Sequence, residues 1–539
     1  MVPRYKNGRR AYISFVFICK LSSSLPKFLI NHSRWFSTTA NRICPSSCSS
    51  TTRQVFFTTA CRKTSLTVFK YVASKNSKKL ELFNPKDGSL VANDVDLAGA
   101  EDVDAAVAAA EKAFPAWKKI PAQARQEMMN KFAALIQKHS VELAELSRIT
   151  LGAPISAIGH RETMMAAEGF KYFAAWIDKF AGESFPQDDG FLKIVRNEPL
   201  GVVAGVVPWN GPLVTASNKA APALATGNCF ILKPSEKTPF SALALGPLII
   251  EAGFPPGVFQ ILSGDGSTGA LLSSHMRIRK ISFTGSIPTG KRIQEAAAKS
   301  NLKRVTLELG GKSPAVVFDD ANLENAITWC ARALTMNTGQ ICFAATRVYV
   351  QEGVYEKFVE GYKKALLKAA ENIGDPEAES TTMGPLVDKA QFDRVSGFIE
   401  RGKNGQGTLL TGGSRVGSKG YFIQPTVFTN VDPDAEIIRQ EIFGPVSVLN
   451  SFKTEEEIIE KCNDTNYGLM AGVFTQDINR ALRVASEFDA GMVGINCVSL
   501  SFKQTPFGGT KQSGLGRENG SAALRAYTDQ KTVMINLTY

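Results

Sequence analysis

From about residue 199 to residue 510 the chain alternates short β-branched runs with helical patterns, and this constrains the fold more than any other feature. Apolar runs at residues 202–207, 230–232, 259–262 and 280–283 are separated by helical stretches at 218–225, 241–252, 270–274 and 291–298. The same style continues through runs at 315–318, 347–350, 446–452 and 494–496. Strands alternating with helices join through crossovers, so an α/β fold built from βαβ units on parallel sheets is expected. Residues 102–114, 124–138 and 141–150 read as helices ahead of this region. A chain of 539 residues has room for three or four domains at ~150 residues each. Residues 191–198 and 532–537 read as exposed strands, whose edges invite pairing with a neighbouring subunit.

The formal charge of +12 is unevenly placed. Residues 1–80 carry 15 Lys and Arg, and no acid occurs before Glu81, leaving 47 basic and 50 acidic residues in the remainder. The body is therefore close to neutral, which argues against a nucleic-acid partner. The basic, Ser/Thr-rich segment 1–79 has the composition of a mitochondrial transit peptide, and Arg34-Trp35-Phe36-Ser37 resembles a matrix-protease cleavage site. A mitochondrial matrix location follows as the expectation. A secretory signal with its apolar region at 11–19, and a cytoplasmic protein carrying a spurious extension, are the alternatives. Folded sequence is expected to begin near Leu80. No run approaches the ~20 apolar residues of a membrane span. Five cysteines scattered through the body without a CxxC pair argue against a disulfide framework and against a metal site.

Chemistry concentrates at Cys342, in Met336-Asn337-Thr338-Gly339-Gln340-Ile341-Cys342, and at Glu308, in Leu307-Glu308-Leu309-Gly310-Gly311-Lys312. A thiolate can attack a carbonyl carbon and a carboxylate can later activate water. Taken alone, such a pair is more often a buried thiol and a surface acid. The body holds only His139, His160 and His275, none near these motifs in sequence, so a Cys–His couple is disfavoured. Two loops compete for a dinucleotide pyrophosphate. Gly264-Asp265-Gly266-Ser267-Thr268-Gly269 matches GxGxxG after a strand, and Phe283-Thr284-Gly285-Ser286-Ile287-Pro288-Thr289-Gly290 lies between a strand and a helix N-terminus.

The assembled motifs resemble the NAD(P)-dependent aldehyde dehydrogenase superfamily over roughly residues 80–539. They are Pro208-Trp209-Asn210, Lys233-Pro234-Ser235-Glu236, Phe283-Thr284-Gly285-Ser286, Leu307-Glu308-Leu309-Gly310-Gly311-Lys312, Gly339-Gln340-Ile341-Cys342 and Glu441-Ile442-Phe443-Gly444-Pro445. Pro506-Phe507-Gly508-Gly509 with Lys511, Ser513-Gly514 and Gly516-Arg517-Glu518 closes the set. The resemblance implies a Rossmann-type cofactor domain (80–180 and 200–308), an α/β catalytic domain (309–512) and a small β oligomerisation element (181–199 and 526–539). It implies oxidation of a small-molecule aldehyde to the free acid by a homodimer or homotetramer. Cys342 would be the nucleophile, Asn210 an oxyanion donor and Glu308 the hydrolytic base. Lys219 and Glu518 match a proton relay or, equally, a structural ion pair.

The cofactor implied is NAD, with NADP disfavoured because Glu236 would repel a 2′-phosphate. Trp209, Lys233, Glu236, Gly285, Ser286, Glu441 and Phe443 would hold it. Substrate-tunnel positions fall on Gly211, Asn218, Ile341, Phe343, Ser501 and Phe507. Gly211, Asn218 and Ser501 stand where many members carry aromatics, which implies a wider, more polar tunnel and a bulkier, aromatic or oxygenated aldehyde. The family's N-terminal strand pair is not recognisable before Asn84-Pro85. Glu308 argues against the branch that transfers the acyl group to coenzyme A. Other readings are a semialdehyde dehydrogenase of a dedicated pathway and a non-catalytic structural relative; the latter is disfavoured by the retention of Cys342, Asn210 and Glu308.

Overall fold

The computed structural model describes residues 65–67, 70–76 and 78–539. Two large sheets organise these residues. The first has eight strands in the order Gly514–Leu515, Arg304–Glu308, Lys280–Thr284, Val202–Val206, Cys229–Lys233, Phe259–Leu262, Ser65–Thr67 and Lys70–Val72. The five middle strands run parallel. Their residues are almost all buried, as expected for a sheet covered on both faces. From Val202–Val206 the chain steps one way through Cys229–Lys233 and Phe259–Leu262. It then returns to Lys280–Thr284 on the other side. This reversal places a topological switch point beyond the C-terminal ends of Val202–Val206 and Lys280–Thr284, where α/β sheets bind ligands.

The second sheet has seven strands: Thr408–Thr411, Thr426–Thr429, Val446–Phe452, Ala345–Gln351, Ser313–Val317, Met470–Phe474 and Met492–Ile495. All neighbours are parallel except the first pair. Side chains alternate between its faces. Val316 and Tyr349 join one core, while Ala315, Val317, Val348 and Val350 join the other. The core beside the first sheet is aromatic: Phe132 meets Phe170, Phe254 and Phe259 edge to face, with ring centroids 4.8–5.9 Å apart.

A third sheet joins Glu183–Phe185, Phe191–Pro199 and Thr528–Asn536, all antiparallel. Thr528–Asn536 is an edge, and Met534 and Ile535 on it are exposed. Among the described residues no helix is long and apolar enough to cross a membrane.

Several sequence expectations shift. Among the described residues, regular structure is already present at Ser65, ahead of the start expected near Leu80. Ser65–Thr67 pairs antiparallel with Phe259–Leu262 and with Lys70–Val72, and Lys79–Phe83 pairs with Leu90–Asp96. The N-terminal strand pairs therefore exist; the brevity of most of their strands and their polar residues hide them. The leader drawn as 1–79 thus includes two strands and the start of a third, while residues 11–19 and 34–37 lie outside the described residues. The strands Arg304–Glu308, Thr408–Thr411, Thr426–Thr429 and Met470–Phe474 lie outside the expected runs: charged residues end the first, a glycine interrupts the last, and the middle two are short apolar pairs flanked by threonines. The helix expected at 291–298 is Ile287–Lys299, beginning four residues earlier because Pro288 suits a first helical turn.

Candidate active site

The switch point collects the residues singled out by sequence. Trp209 and Asn210 follow Val202–Val206, and Lys233 ends Cys229–Lys233. Gly285 and Ser286 follow Lys280–Thr284, and Glu308 ends Arg304–Glu308. Residues 309–312 then carry the chain from the first sheet to Ser313–Val317 of the second. Cys342 lies three residues before Ala345–Gln351, the neighbour of that strand.

The segment before Cys342 is held in an unusual backbone conformation. Asn337, Thr338 and Gly339 are consecutive left-handed residues, with φ of 49°, 55° and 70°. Side-chain bonds fix it. Thr338 Oγ1 donates to Gly384 O at 2.9 Å, and Gln340 Nε2 donates to Asn337 O at 3.0 Å. Gln340 Oε1 accepts from Val387 N at 3.0 Å. A Cβ on Gly339 would come within 2.3 Å of Gly444 O, and one on Gly311 within 2.4 Å of Cys342 O. Asn210 Nδ2 donates to Gln340 O at 2.8 Å, two residues from the thiol. An amide has two N–H donors, so a second remains for an oxyanion.

Cys342 is half-buried. Burial pushes its thiol above the ordinary range, and the Glu441 and Glu308 carboxylates add to the effect, so both acids lie within its field. Glu308 is buried with neither carboxylate oxygen hydrogen-bonded among the described residues. Burial raises it well above a normal glutamate, Glu518 raises it further, and Lys219 and Arg517 oppose. Lys219 and Glu518 form a buried ion pair. Lys219 Nζ also donates to Thr284 Oγ1 at 2.7 Å, and Ser282 Oγ donates to Glu518 at 3.1 Å. The pair is thus embedded in hydroxyls beneath Glu308.

The nucleotide cradle can be tested against the residues present. Lys233 is buried, with Nζ donating to Pro234 O at 2.8 Å and lying 3.7 Å from Glu236. A half-exposed acid beside that ammonium suits ribose hydroxyls. Ser286 is an exposed N-cap whose Oγ donates to Thr289 Oγ1 at 3.0 Å and caps no helix amide, leaving the first amides of Ile287–Lys299 to an anion. By contrast, Asp265 caps Gly266–Ser274 by accepting Ser267 N at 2.8 Å, so the GxGxxG match serves as a capped helix start. Trp209 meets Phe443 edge to face at 5.2 Å. Glu441 accepts Gly311 N at 3.1 Å, and burial pushes it up to about 7. These residues fit a dinucleotide.

At the tunnel positions, Phe343 and Phe507 meet edge to face at 5.6 Å. Gly211 is the buried N-cap of Pro212–Ala225, while Ile341 and Ser501 are half-buried. Asn218 is not an open polar wall: its Oδ1 accepts a hydrogen bond from Lys503 Nζ. Sequence reading missed Lys503. It also missed Glu162, whose carboxylate accepts Leu213 N at 2.7 Å and Val214 N at 3.2 Å, capping the helix that follows Asn210. Lys503 could have been noticed as a cation four residues before Phe507; Glu162 leaves no local signal.

The aldehyde dehydrogenase family profile matches residues 71–533. The chain belongs to the aldehyde dehydrogenase family. It is 44% identical over 472 residues to an aldehyde dehydrogenase of Agaricus bisporus, covering 87% of this chain and 94% of that protein. It is 43% identical over 470 residues to the cytosolic aldehyde dehydrogenase 1 of Mus musculus, covering 86% and 93%. The NAD+ complex of a Bacillus cereus aldehyde dehydrogenase superposes with a TM-score of 0.87 at 41% identity, covering 91% of this chain and 99% of that one. Aldehyde dehydrogenase membership makes the chain an oxidoreductase acting on aldehydes with a nicotinamide cofactor.

Proposed function

We propose that the protein oxidises an aldehyde to the free carboxylic acid, with NAD as cofactor and Cys342 as nucleophile. The observation that carries this reading is the convergence of three groups. Asn210 donates to the carbonyl of Gln340 beside the thiol, and Glu308 sits buried and unbonded within the thiol's field.

Cys342 Sγ adds to the carbonyl carbon, and its proton passes to Glu308, whose raised proton affinity makes it a stronger base than an ordinary carboxylate. The free N–H of Asn210 and the backbone N–H of Cys342 hold the resulting oxyanion, worth ~3 kcal/mol per donor in comparable sites. NAD, when bound, supplies the hydride acceptor. Lys233 and Glu236 would hold its adenosine ribose and Gly285 and Ser286 its pyrophosphate. Trp209, Glu441 and Phe443 would line the remainder. Glu308 releases that proton to solvent, and the restored carboxylate takes a proton from water, which attacks the thioester; the C–S bond breaks, the thiol regains a proton and the acid leaves. Retention of Glu308 supports hydrolysis over transfer to coenzyme A.

The strand Thr528–Asn536, with its exposed edge, supports assembly into a dimer or tetramer through the three-stranded sheet. The acid-free leader supports mitochondrial targeting, with its boundary before Ser65. An aldehyde panel assayed for NADH and NADPH formation tests the activity. Oxidation of several aldehydes with NAD is expected; reduction of neither cofactor by any aldehyde would overturn the reading.

A further inference from the structure

The helix Pro212–Ala225 begins beside the thiol, at Asn210 and Gly211. Gly211 and Asn218 are seven residues apart and share one face of it. At ~1.5 Å rise per residue, Asn218 lies roughly 10 Å farther along that face. The opposite wall is the loop 499–507. Ser499 Oγ donates to Phe343 O at 2.9 Å, next to Cys342, and Phe507 packs on Phe343. Lys503 lies on this loop. Its carbonyl accepts Gly520 N at 2.8 Å, and Phe507 exchanges two backbone bonds with Glu518, at 2.7 and 2.8 Å. The loop is therefore pinned, and Lys503 Nζ reaches back to Asn218 Oδ1.

This cation is not neutralised where it stands. Among the described residues no carboxylate lies within ion-pair distance of Lys503 Nζ. Glu518 is committed to Lys219, and Glu168 is exposed. Burial brings Lys503 down to about 8, with Glu518 and Glu168 opposing, so it is still mostly an ammonium at pH 7. A half-buried ammonium held by one neutral amide has two further N–H donors and an uncompensated charge. An anionic ligand group would satisfy both.

We propose that Lys503, oriented by Asn218, reads an anionic group at the far end of the substrate, so that the preferred aldehydes carry a carboxylate remote from the reacting carbon. The inference rests on the proposed Cys342 chemistry for its reaction but not for its binding site. Asn218, in place of an aromatic, makes room for the ammonium and fixes its direction. Lys503 is a specificity residue and touches none of the reacting atoms.

The test pairs unbranched ω-carboxyl aldehydes of four to eight carbons with n-alkanals of equal length. The ratio of kcat/KM, carboxyl over alkyl, is expected to exceed 10 for at least one length. Lys503→Met is expected to lower that ratio roughly 10- to 100-fold, the loss appropriate to a charge-assisted hydrogen bond. Lys503→Arg is expected to restore most of it, and Lys503→Glu to invert it. Calorimetry with pentanedioate, hexanedioate and heptanedioate reads the same site without turnover. One of them should bind the NAD-loaded wild type and bind Lys503→Met at least tenfold more weakly, with NAD affinity equal in both. A ratio near one in the wild type, an equal fall for both aldehyde classes, or dicarboxylate binding indifferent to Lys503→Met would overturn the inference. Loss of all aldehyde oxidation with dicarboxylate binding intact would instead sink the proposed chemistry and leave the anion site standing.

Discussion

Lys219 and Glu518, 299 positions apart in the chain, form an ion pair that solvent does not reach, and Glu308 feels both of its charges with opposite sign. Removing one partner of such a pair leaves an uncompensated buried charge, at a cost of about 3–5 kcal/mol. Lys219→Met should lower the thermal midpoint by several degrees, and Lys219→Met with Glu518→Leu should recover part of the loss. The pair also tunes Glu308. Glu518→Gln removes a raising charge, so the acidic limb of the kcat profile, which reports Glu308 losing its proton, should move to lower pH. Lys219→Met should move it to higher pH. Limbs that stay in place in both variants would show the pair to be structural only.

In the proposed reaction Cys342 and Glu308 carry separable steps. Cys342→Ala should abolish NADH formation with every aldehyde while equilibrium dialysis shows NAD still bound. Glu308→Gln keeps the shape but loses the base for hydrolysis. A first-turnover burst of NADH followed by deacylation slowed at least 100-fold is expected by stopped flow. Normal steady-state turnover in Glu308→Gln would assign the base elsewhere.

Glu162 gives a pH-dependent stability with a definite sign. Its carboxyl is buried beneath the start of Pro212–Ala225, and burial raises it from 4.5 to about 7. The folded state therefore binds the proton more tightly than the unfolded state. Its contribution is full below about 4.5 and is lost as pH rises through about 7. Glu162→Gln keeps an acceptor for the Leu213 and Val214 amides without the ionisable group. The variant should gain stability relative to wild type between pH 5 and pH 8, by roughly 3 kcal/mol at most. Thermal or urea unfolding at the two pH values checks it. Glu162→Ala strands those amides and should cost about 1–2 kcal/mol even at pH 5.

The sequence was most informative where chemistry is written in short contiguous motifs. The βαβ alternation indicated parallel sheets, and Asn210, Lys233, Gly285 and Glu308 all proved to end or follow parallel strands because their motifs begin at strand ends. What stayed hidden was long-range. Glu162 acts on amides 51 and 52 residues away, and Lys503 meets Asn218 across 285 residues. Neither contact has a local pattern, since each depends on how two helices or a loop and a helix pack. The strand Arg304–Glu308 was missed because Arg304 and Glu308 end it and Thr306 interrupts it, so only two of its five residues are apolar.

The Gly311 position makes the geometry of the nucleophile testable without altering any reacting group. A methyl there would lie 2.4 Å from the backbone oxygen of Cys342 and 3.2 Å from Leu469 Cβ, so the Cys342 peptide must move. The same residue's N–H holds Glu441, one of the two acids in the thiol's field. Gly311→Ala should therefore disturb both the direction of the Cys342 N–H, the proposed oxyanion donor, and the placement of Glu441. A loss of one donor is worth roughly 100- to 1,000-fold in kcat. Gly266→Ala, at a position with nothing within 4 Å of the added carbon, serves as the control and should lose less than threefold. If Gly311→Ala kept wild-type kcat, the backbone of Cys342 would not be an oxyanion donor, and the stabilisation would fall to Asn210 alone.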